Sequence, residues 1–567
     1  MRPLLSSRQS LELDAHVRQL LDFSTEMLME IASGKLWEAL RAELSVNAEA
    51  RRGVNRECGA RDFLGTSIAA VCGKGDNAGD ALVMLRRAKI EGFRDCAAYI
   101  PAQEELKESA RKNLARAERC GVSIHLYDAG EHEVLPLARE LSRYDVLLDA
   151  VLGTGTRGPA SGSAAHAIAA LNEAAELREA GKNVHPRIVA VDIPSGLSDT
   201  WQLEYPIVRA DLTLGIEPLK EALYMPAARL FAGRILPIGG IFPLWTEKSS
   251  SKTFLVEAAD MELYIPEVSA WDHKMQRGRV AILAGSREGA GAALHCVRGA
   301  LSSGAGYVAL FCDEELLSAY LSMVGDAAIV RAYKENDFSP ENWDAIVAGP
   351  GWGTDARRSA TLKRLLDAPK PLLLDADALR LYAKIAPDLI DKCQSSKRGP
   401  LILTPHPGEF RDLLPLIEGI STAENEGASN MSETVRQLGE LATRLCAIIA
   451  LRAATTHIAG PSGSCAIYDG SAFGLGIAGS GDVLAGLAGG LVARHSARLR
   501  DLKKGGSEAF ECSPDVAMKA VVGAVLVHGI SGMRLSEKKG WFTPMELADE
   551  CAIMTSKIER ADAEDGQ

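Results

Sequence analysis

Apolar and polar positions alternate along this chain in two successive series of short extended runs and longer helical stretches. Residues 8–22 and 26–44 carry apolar side chains at helical spacing and predict two leading helices. A short apolar run, Ser67–Cys72, then predicts a strand, a glycine-rich loop follows at Gly73–Asp80, and helical spacing resumes at Ala81–Glu91. Further strands are expected at Cys96–Ile100, Val122–Tyr127, Val146–Asp149, Arg187–Asp192 and Asp211–Gly215, with helices at 103–120, 131–142 and 161–180. Alternation of this kind predicts a mainly parallel sheet covered on both faces, because parallel strands need a helical crossover.

The pattern breaks at 246–252, a polar stretch without periodicity that reads as a linker. A second series follows, with strands at Arg279–Ala284, Val308–Cys312, Ala345–Ala348, Leu372–Asp375, Leu401–Thr404 and Ala447–Leu451, then two extended runs at Thr455–Ala459 and Ser464–Tyr468. Helical spacing fits 290–303, 355–367, 407–416, 430–445, 483–496 and 514–534, and the charged tail Arg560–Gln567 is expected to fray. The chain thus divides into domains at 1–245 and 253–567, each long enough for its own α/β core.

Candidate chemistry gathers where strands end. Ala478–Gly486, AGSGDVLAG, is a strand-to-helix transition in which Gly479 and Gly481 let backbone N–H groups approach an anion while the helix dipole adds positive charge. Asp482 gains from the same dipole, is expected to stay ionised, and suits a base that removes a hydroxyl proton in phosphoryl transfer. A helix-capping role for Asp482 is equally open from these residues. In the first series Asp80, Asp149 and Asp192 sit in three loops expected on one sheet edge, where such folds bind ligands. Each loop alone reads as a turn; together they predict a polar pocket for a phosphate-bearing ligand and a cation. Asp375 and Asp377 invite a metal-site reading beside a simple capping one.

Composition narrows the classes. Of 567 residues 47% are hydrophobic and 24% charged, as in a globular protein, and a net charge of -12 argues against a general nucleic-acid binder. Eleven cysteines lie singly without a CxxC or zinc-ligand spacing, which fits reduced cytoplasmic thiols. The opening MRPLLSSRQSLELDAH lacks a signal-peptide core, and the smoothest apolar run, Ile477–Ala493, carries Asp482 and many glycines, so no membrane span is expected.

The loops of both series resemble one family, the bifunctional NAD(P)H-hydrate repair enzymes. In the first half the resemblance rests on CGKGDNAGD, DVLLDAVLGTGTRGP, AVDIPSGL and Arg209–Thr213 with Lys220; in the second on HKMQRGRVAILAGS, GAGAAL, GPGWG, LDADAL, LTPHPGEF, AGSGDVLAG and Val527-His528-Gly529. It implies an N-terminal Rossmann-like α/β/α sandwich that epimerises hydrated NADH and NADPH, followed by a ribokinase-like α/β domain that phosphorylates the C6 hydroxyl and expels phosphate. Contacts to the hydrate (NADHX or NADPHX) are implied at Asp76, Asn77, Ala78, Gly79 and Asp80, at Gly153, Thr154, Gly155, Thr156, Arg157, Gly158 and Pro159, and at Asp192, the expected proton-handling residue of epimerisation. A potassium ion is implied at Asn77, Asp149 and Ser195, all oxygen donors.

In the second domain the resemblance implies hydrate contacts at Ala292, Gly353 and His406, nucleotide contacts at Arg452, Ala453, Ala454, Thr455, Thr456 and Gly481, and Asp482 as the base. For His406 a loop histidine fixed between Pro405 and Pro407 is the competing reading. The implied donor is ADP, with ATP undistinguished by the residues, together with Mg2+. A cytoplasmic homo-oligomer with small-molecule partners only is expected. The chain departs from the family pattern at Ile31 and Ser33, at Asp76 and Ala78, at Arg452-Ala453, and at Ala472, Ile477 and Ala478, which predicts an active dehydratase with an altered nucleotide pocket. The alternative is a ribokinase-like small-molecule kinase whose first domain is a non-catalytic ligand-binding or scaffold domain.

Overall fold

A computed structural model describes residues 1–52, 62–102, 105–128, 134–179, 187–243, 251–269, 271–335, 337–388, 398–417, 431–470, 472–503 and 512–564. Residues 246–250 of the expected linker lie outside these, as do the starts of the helices expected at 103, 131 and 430, residue 180, and the tail's last residues from 565. Arg2–Ser251 form one compact unit; Lys252–Gly427 with Thr434–Gln567 form the other.

The first unit holds strands β1 (Arg2–Leu5), β2 (Ile68–Cys72), β3 (Cys96–Pro101), β4 (Ser123–Tyr127), β5 (Val146–Ala150), β6 (Arg187–Val191), β7 (Leu212–Ile216), β8 (Leu219–Lys220) and β9 (Arg234–Ile238). Seven of them form a parallel sheet in the order β4-β3-β2-β5-β6-β7-β9, and β1 pairs with β8 beside it. The chain runs outward from β2 to β4 and then restarts at β5 on the other side of β2. The crevice at this reversal is where doubly wound sheets take their ligands. Strand alternation feeds two cores: Ile68, Ala70 and Cys72 join Leu36, Trp37 and Leu82 on one face, and Ala69 and Val71 join Ile168 and Leu171 on the other. One expectation is corrected. The helix expected from Ala81 begins at Asp76, because Gly75 takes an extended N-cap conformation and Asp76 complements the dipole in the first turn. Asp76–Asp80 are therefore helical, not loop, residues.

The second unit holds β10 (Thr253–Leu255), β11 (Arg279–Leu283), β12 (Tyr307–Cys312), β13 (Ile329–Ala332), β14 (Ala345–Ala348), β15 (Leu372–Leu374), β16 (Leu401–Leu403), β17 (Ala447–Leu451), β18 (Thr455–Ala459) and β19 (Cys465–Asp469). Their order is β13-β12-β11-β14-β15-β16-β17-β18-β19-β10, parallel except where β18 runs against β17 and β19. The helix Ser480–Lys503 crosses the sheet against the helix Ala290–Ser302, and Gly486 makes this possible: a Cβ there would lie 1.9 Å from the Cys296 carbonyl oxygen. The middle of the helix Pro514–Lys539, from 520 to 532, is buried all round and runs through the core. The helix is long and apolar enough to cross a membrane, and 78% of its most apolar window is buried in the fold. The helix expected at 483–496 starts at Ser480, so Gly481 and Asp482 lie in its first turn. The helices Asp377–Ile385 and Pro544–Glu564 were not anticipated, and the latter carries helix into the tail expected to fray.

Candidate functional site

In the second unit three neighbouring parallel strands end on the same edge and each delivers one charged group. Asp375 follows β15, His406 and Glu409 follow β16, and Arg452 follows β17. Arg452 places Nη2 2.9 Å from Asp375 Oδ1 and 3.5 Å from Glu409 Oε2. Thr404 Oγ1 donates to the same Asp375 oxygen at 2.9 Å. The glycine turn closes over this cluster: a Cβ on Gly481 would sit 2.0 Å from Arg452 Nη1, so only glycine lets the guanidinium lie against the start of the helix. Gly479 enters the turn at φ +95° and packs on the His295 ring. His528 fixes the next residue, its Nε2 lying 3.1 Å from Ser480 Oγ and 3.0 Å from Ser480 O.

These groups wall a cavity of about 710 Å3 that also takes in Ala453, Ala454, Thr456 and Gly529. Asp482 stands in it with its pKa pushed up to about 7, first by burial and then by the negative charges of Asp375, Glu409 and Asp377, against the opposing pull of Arg452. This corrects the expectation of a fully ionised carboxylate: the helix dipole contributes less than desolvation among three other acids. A base poised near neutrality is the better proton acceptor for a hydroxyl.

Other expected residues fall differently. His406 is half exposed on the cavity wall, and its Nδ1 accepts from the N–H groups of Gly408 and Glu409, so it caps the helix Pro407–Leu413 and leaves Nε2 as the protonated ring nitrogen. Thr455 points away from Thr456 by strand alternation and is buried outside the cavity wall. Ala292 and Gly353 also lie outside that wall; Gly353 N donates to Asp377 Oδ2 at 2.8 Å, which gives Asp377 a structural task. Among the described residues no group of three or more His, Cys, Asp or Glu side chains is arranged to hold a metal ion. Sequence reasoning missed Glu409 and His295, which only the fold brings to the turn.

In the first unit Asp192 takes φ +66° after β6 and binds on three sides. Its Oδ1 accepts from Lys220 Nζ at 2.6 Å and from Ile216 N at 3.0 Å, while Oδ2 accepts from Thr154 Oγ1 at 3.0 Å. Asp80 stands near, its pKa raised to about 7 by burial, opposed by the Ser33 hydroxyl 2.7 Å away and reinforced by Asp192 and Asp76. Asp76 is held below the ordinary carboxylate range, burial being outweighed by Lys107 and Ser109, which donate to its two oxygens. Asp149, Ser195 and Asn77 converge on the Leu152 backbone. Ser195 N and Oγ reach the two Asp149 oxygens at 2.7 and 2.5 Å, Leu152 N donates to Ser195 Oγ, and Asn77 Nδ2 donates to Leu152 O. Burial raises the Asp149 pKa to about 6 against the Ser195 hydrogen bonds. Gly153 abuts Asn77 and Thr156 closes back on Gly153 O, whereas Gly155, Arg157 and Pro159 are exposed. Ala78 and Gly79 are buried within the helix; Ala78 faces the core and Gly79 packs on Met29. A cavity of about 760 Å3 opens from Asp76 and Asp80 toward Arg18, Met29 and Lys107.

Both units are α/β folds with parallel sheets, one carrying a carboxylate beside a glycine turn and the other a buried lysine–carboxylate pair near the strand ends, the edge at which such folds take ligands. Residues 280–552 match the family described as NAD(P)H-hydrate dehydratase, and residues 25–222 match the YjeF-related protein N-terminus. The bifunctional NAD(P)H-hydrate repair enzyme Nnr of Escherichia coli is 30% identical over 425 residues, which span 74% of this chain and 75% of that protein. Its counterpart in Thermofilum pendens is 29% identical over 503 residues, 84% of each chain. Among solved structures, the ADP/ATP-dependent NAD(P)H-hydrate dehydratase from Bacillus subtilis, co-crystallized with ATP/Mg2+, is 26% identical with a TM-score of 0.43, covering 54% of this chain and 99% of that one. The chain belongs to the bifunctional NAD(P)H-hydrate repair enzymes.

Proposed function

We propose that this chain returns hydrated NADH and NADPH to working cofactors, epimerising the R and S hydrates in the domain at 1–245 and dehydrating the S hydrate in the domain at 253–567. The observation that carries the reading is Asp482, a carboxylate with a pKa of about 7 at a helix N-terminus, facing Arg452 across a glycine turn. Asp482 accepts the proton of the C6 hydroxyl as its oxygen takes the terminal phosphoryl group of ADP or ATP. The Gly479–Gly481 amides and Arg452 meet the negative charge on the group in flight. The C6–O bond then breaks, the ring nitrogen lone pair supplying electrons, and phosphate leaves where hydroxide would not. Loss of the C5 proton restores the double bond.

Magnesium, when bound with the nucleotide, offsets phosphate charge; with no three-ligand acidic cage among the described residues, phosphate oxygens and water would supply most of its shell. In the first domain Asp192 handles the hydroxyl proton, oriented by Lys220 and Thr154. Asp149 and Ser195 would supply oxygen donors for K+, and Asn77 reaches the same Leu152 backbone through its amide nitrogen. Every cysteine among the described residues is a free thiol, which suits a cytoplasmic setting.

The test supplies the purified chain with mixed hydrate epimers, Mg2+ and either ADP or ATP, following reduced-nicotinamide absorbance and phosphate release together. Return of absorbance with one phosphate per cofactor supports repair. A stable phosphorylated product, or no return with either nucleotide, rejects it in favour of a kinase or a binding protein.

A further inference from the structure

Phe473 and Trp541 meet edge to face, ring centroids 5.5 Å apart at 86°, yet 61% and 72% of their surfaces remain exposed. Both stand on a fixed base. Gly474 N donates to Ser536 Oγ on the helix Pro514–Lys539, and a Cβ on Gly474 would lie 2.3 Å from the Phe542 ring. Leu475 is seated against Gly532 of the same helix. Phe542, next in chain to Trp541, is buried, so the exposed indole is anchored one residue away. Scattered single apolar side chains on a surface are ordinary; a braced aromatic pair is not.

Phe473 is also a wall of the cavity that holds Arg452, the glycine turn and Asp482. That cavity therefore has phosphate-binding chemistry in its interior and a flat apolar ring on its wall, beside a second ring that does not line it. A molecule satisfying both joins a heteroaromatic base to a diphosphate through a sugar.

The geometry points to Phe473, braced edge to face by Trp541, as the stacking surface for the purine base of the phosphoryl donor. Arg452 and the Gly479–Gly481 amides take its phosphates. This rests on the phosphoryl-transfer reading of the cavity. The hydrate carries flat bases as well, so the two sources share one chemistry and the measurement has to separate them.

Calorimetric titration of the full chain with ADP, AMP and pyrophosphate, repeated on Phe473→Ala and Trp541→Ala, reads the base contribution without any turnover. Both side chains are exposed, so neither substitution removes core packing. Loss of one stacking contact is expected to weaken ADP and AMP about tenfold, pyrophosphate staying unchanged, and Phe473→Tyr restores binding. In steady state the KM for the nucleotide rises while the KM for the hydrate holds. Unchanged ADP affinity in both variants overturns the proposal, as does equal weakening of pyrophosphate. A rise confined to the hydrate KM overturns it too, placing the dinucleotide on the platform. Because ADP binding is read directly, a chain that stacks ADP on Phe473 but repairs no hydrate keeps the platform and loses the proposed function; the converse result separates them the other way.

Discussion

Arg452 sits with Nη2 2.9 Å from Asp375 Oδ1 while its Nη1 lies against the backbone of Gly481. One guanidinium thus joins the end of β17 to the end of β15 and to the first turn of the helix Ser480–Lys503. Removing it in Arg452→Ala leaves Asp375 and Glu409 facing each other without a cation. Truncating one partner of a buried ion pair costs about 3–5 kcal/mol. Asp375 already has its pKa raised by burial, so in the variant it takes up a proton and the loss grows as pH rises. Denaturant titrations at acid and neutral pH are expected to show that divergence. Arg452→Lys keeps a charge but lacks the planar fork that serves carboxylate and turn at once, and is expected to bind nucleotide more weakly.

Asp482 sets opposite pH trends for activity and stability. As a base it works unprotonated, so dehydration is expected to fall tenfold per pH unit below about 7 and to level off above. Its folded pKa lies above the ordinary value of 3.8, so the folded state holds a proton that the unfolded state has released. The stability this group contributes is complete below about pH 4 and is lost as pH rises toward 7. Asp482→Asn is expected to remove that slope and to lower turnover by about 10²-fold or more, with nucleotide binding retained. Full activity in the variant would give the base role to another residue.

Much of this site was legible before the fold was known. Glycine spacing and the strand-to-helix change locate the glycine turn at 479–481, and alternating elements give both parallel sheets. Three things were not legible. Helix starts at Asp76 and Ser480 depend on backbone angles at Gly75 and Gly479, which composition leaves open. The Asp482 pKa is raised by burial and then by Asp375 and Glu409, acids distant in sequence that β15 and β16 deliver to one edge, none of which the local helix dipole registers. Phe473 and Trp541 carry no spacing signal at all; only the turn after Lys539 brings them together.

Ser33 stands where the family pattern has glycine, and its hydroxyl spans Asp80 Oδ1 at 2.7 Å and Met29 O at 2.6 Å. That hydrogen bond favours the ionised form of Asp80 and holds its pKa down to about 7. Ser33→Ala deletes it, so Asp80 is expected to stay protonated to higher pH. The carboxyl carbon shift of Asp80, followed by NMR against pH, checks the direction: its midpoint moves upward in Ser33→Ala. A midpoint that stays or falls means the hydroxyl donates to Met29 O instead.

Asp192 and Lys220 are a nearly buried pair 2.6 Å apart, and Asp192 adopts the left-handed region at φ +66°. Asparagine tolerates that conformation, so Asp192→Asn removes charge without straining the backbone. The variant leaves the Lys220 ammonium facing an amide and the Ile216 carbonyl, and is expected to unfold at lower denaturant. Its catalytic signature is separable from that loss. Dehydration consumes only the S hydrate, so a mixture of epimers is driven to completion by the intact chain because the first domain replenishes S from R. In Asp192→Asn the progress curve is expected to break once the S hydrate is spent and then follow the slow spontaneous exchange, while pure S hydrate is dehydrated at the unaltered rate. Chiral separation of the remaining hydrate at the break shows R alone. A curve that runs through to completion without a break removes Asp192 from proton transfer and leaves Asp80, the acid whose pKa Asp192 helps raise, as the group to replace next.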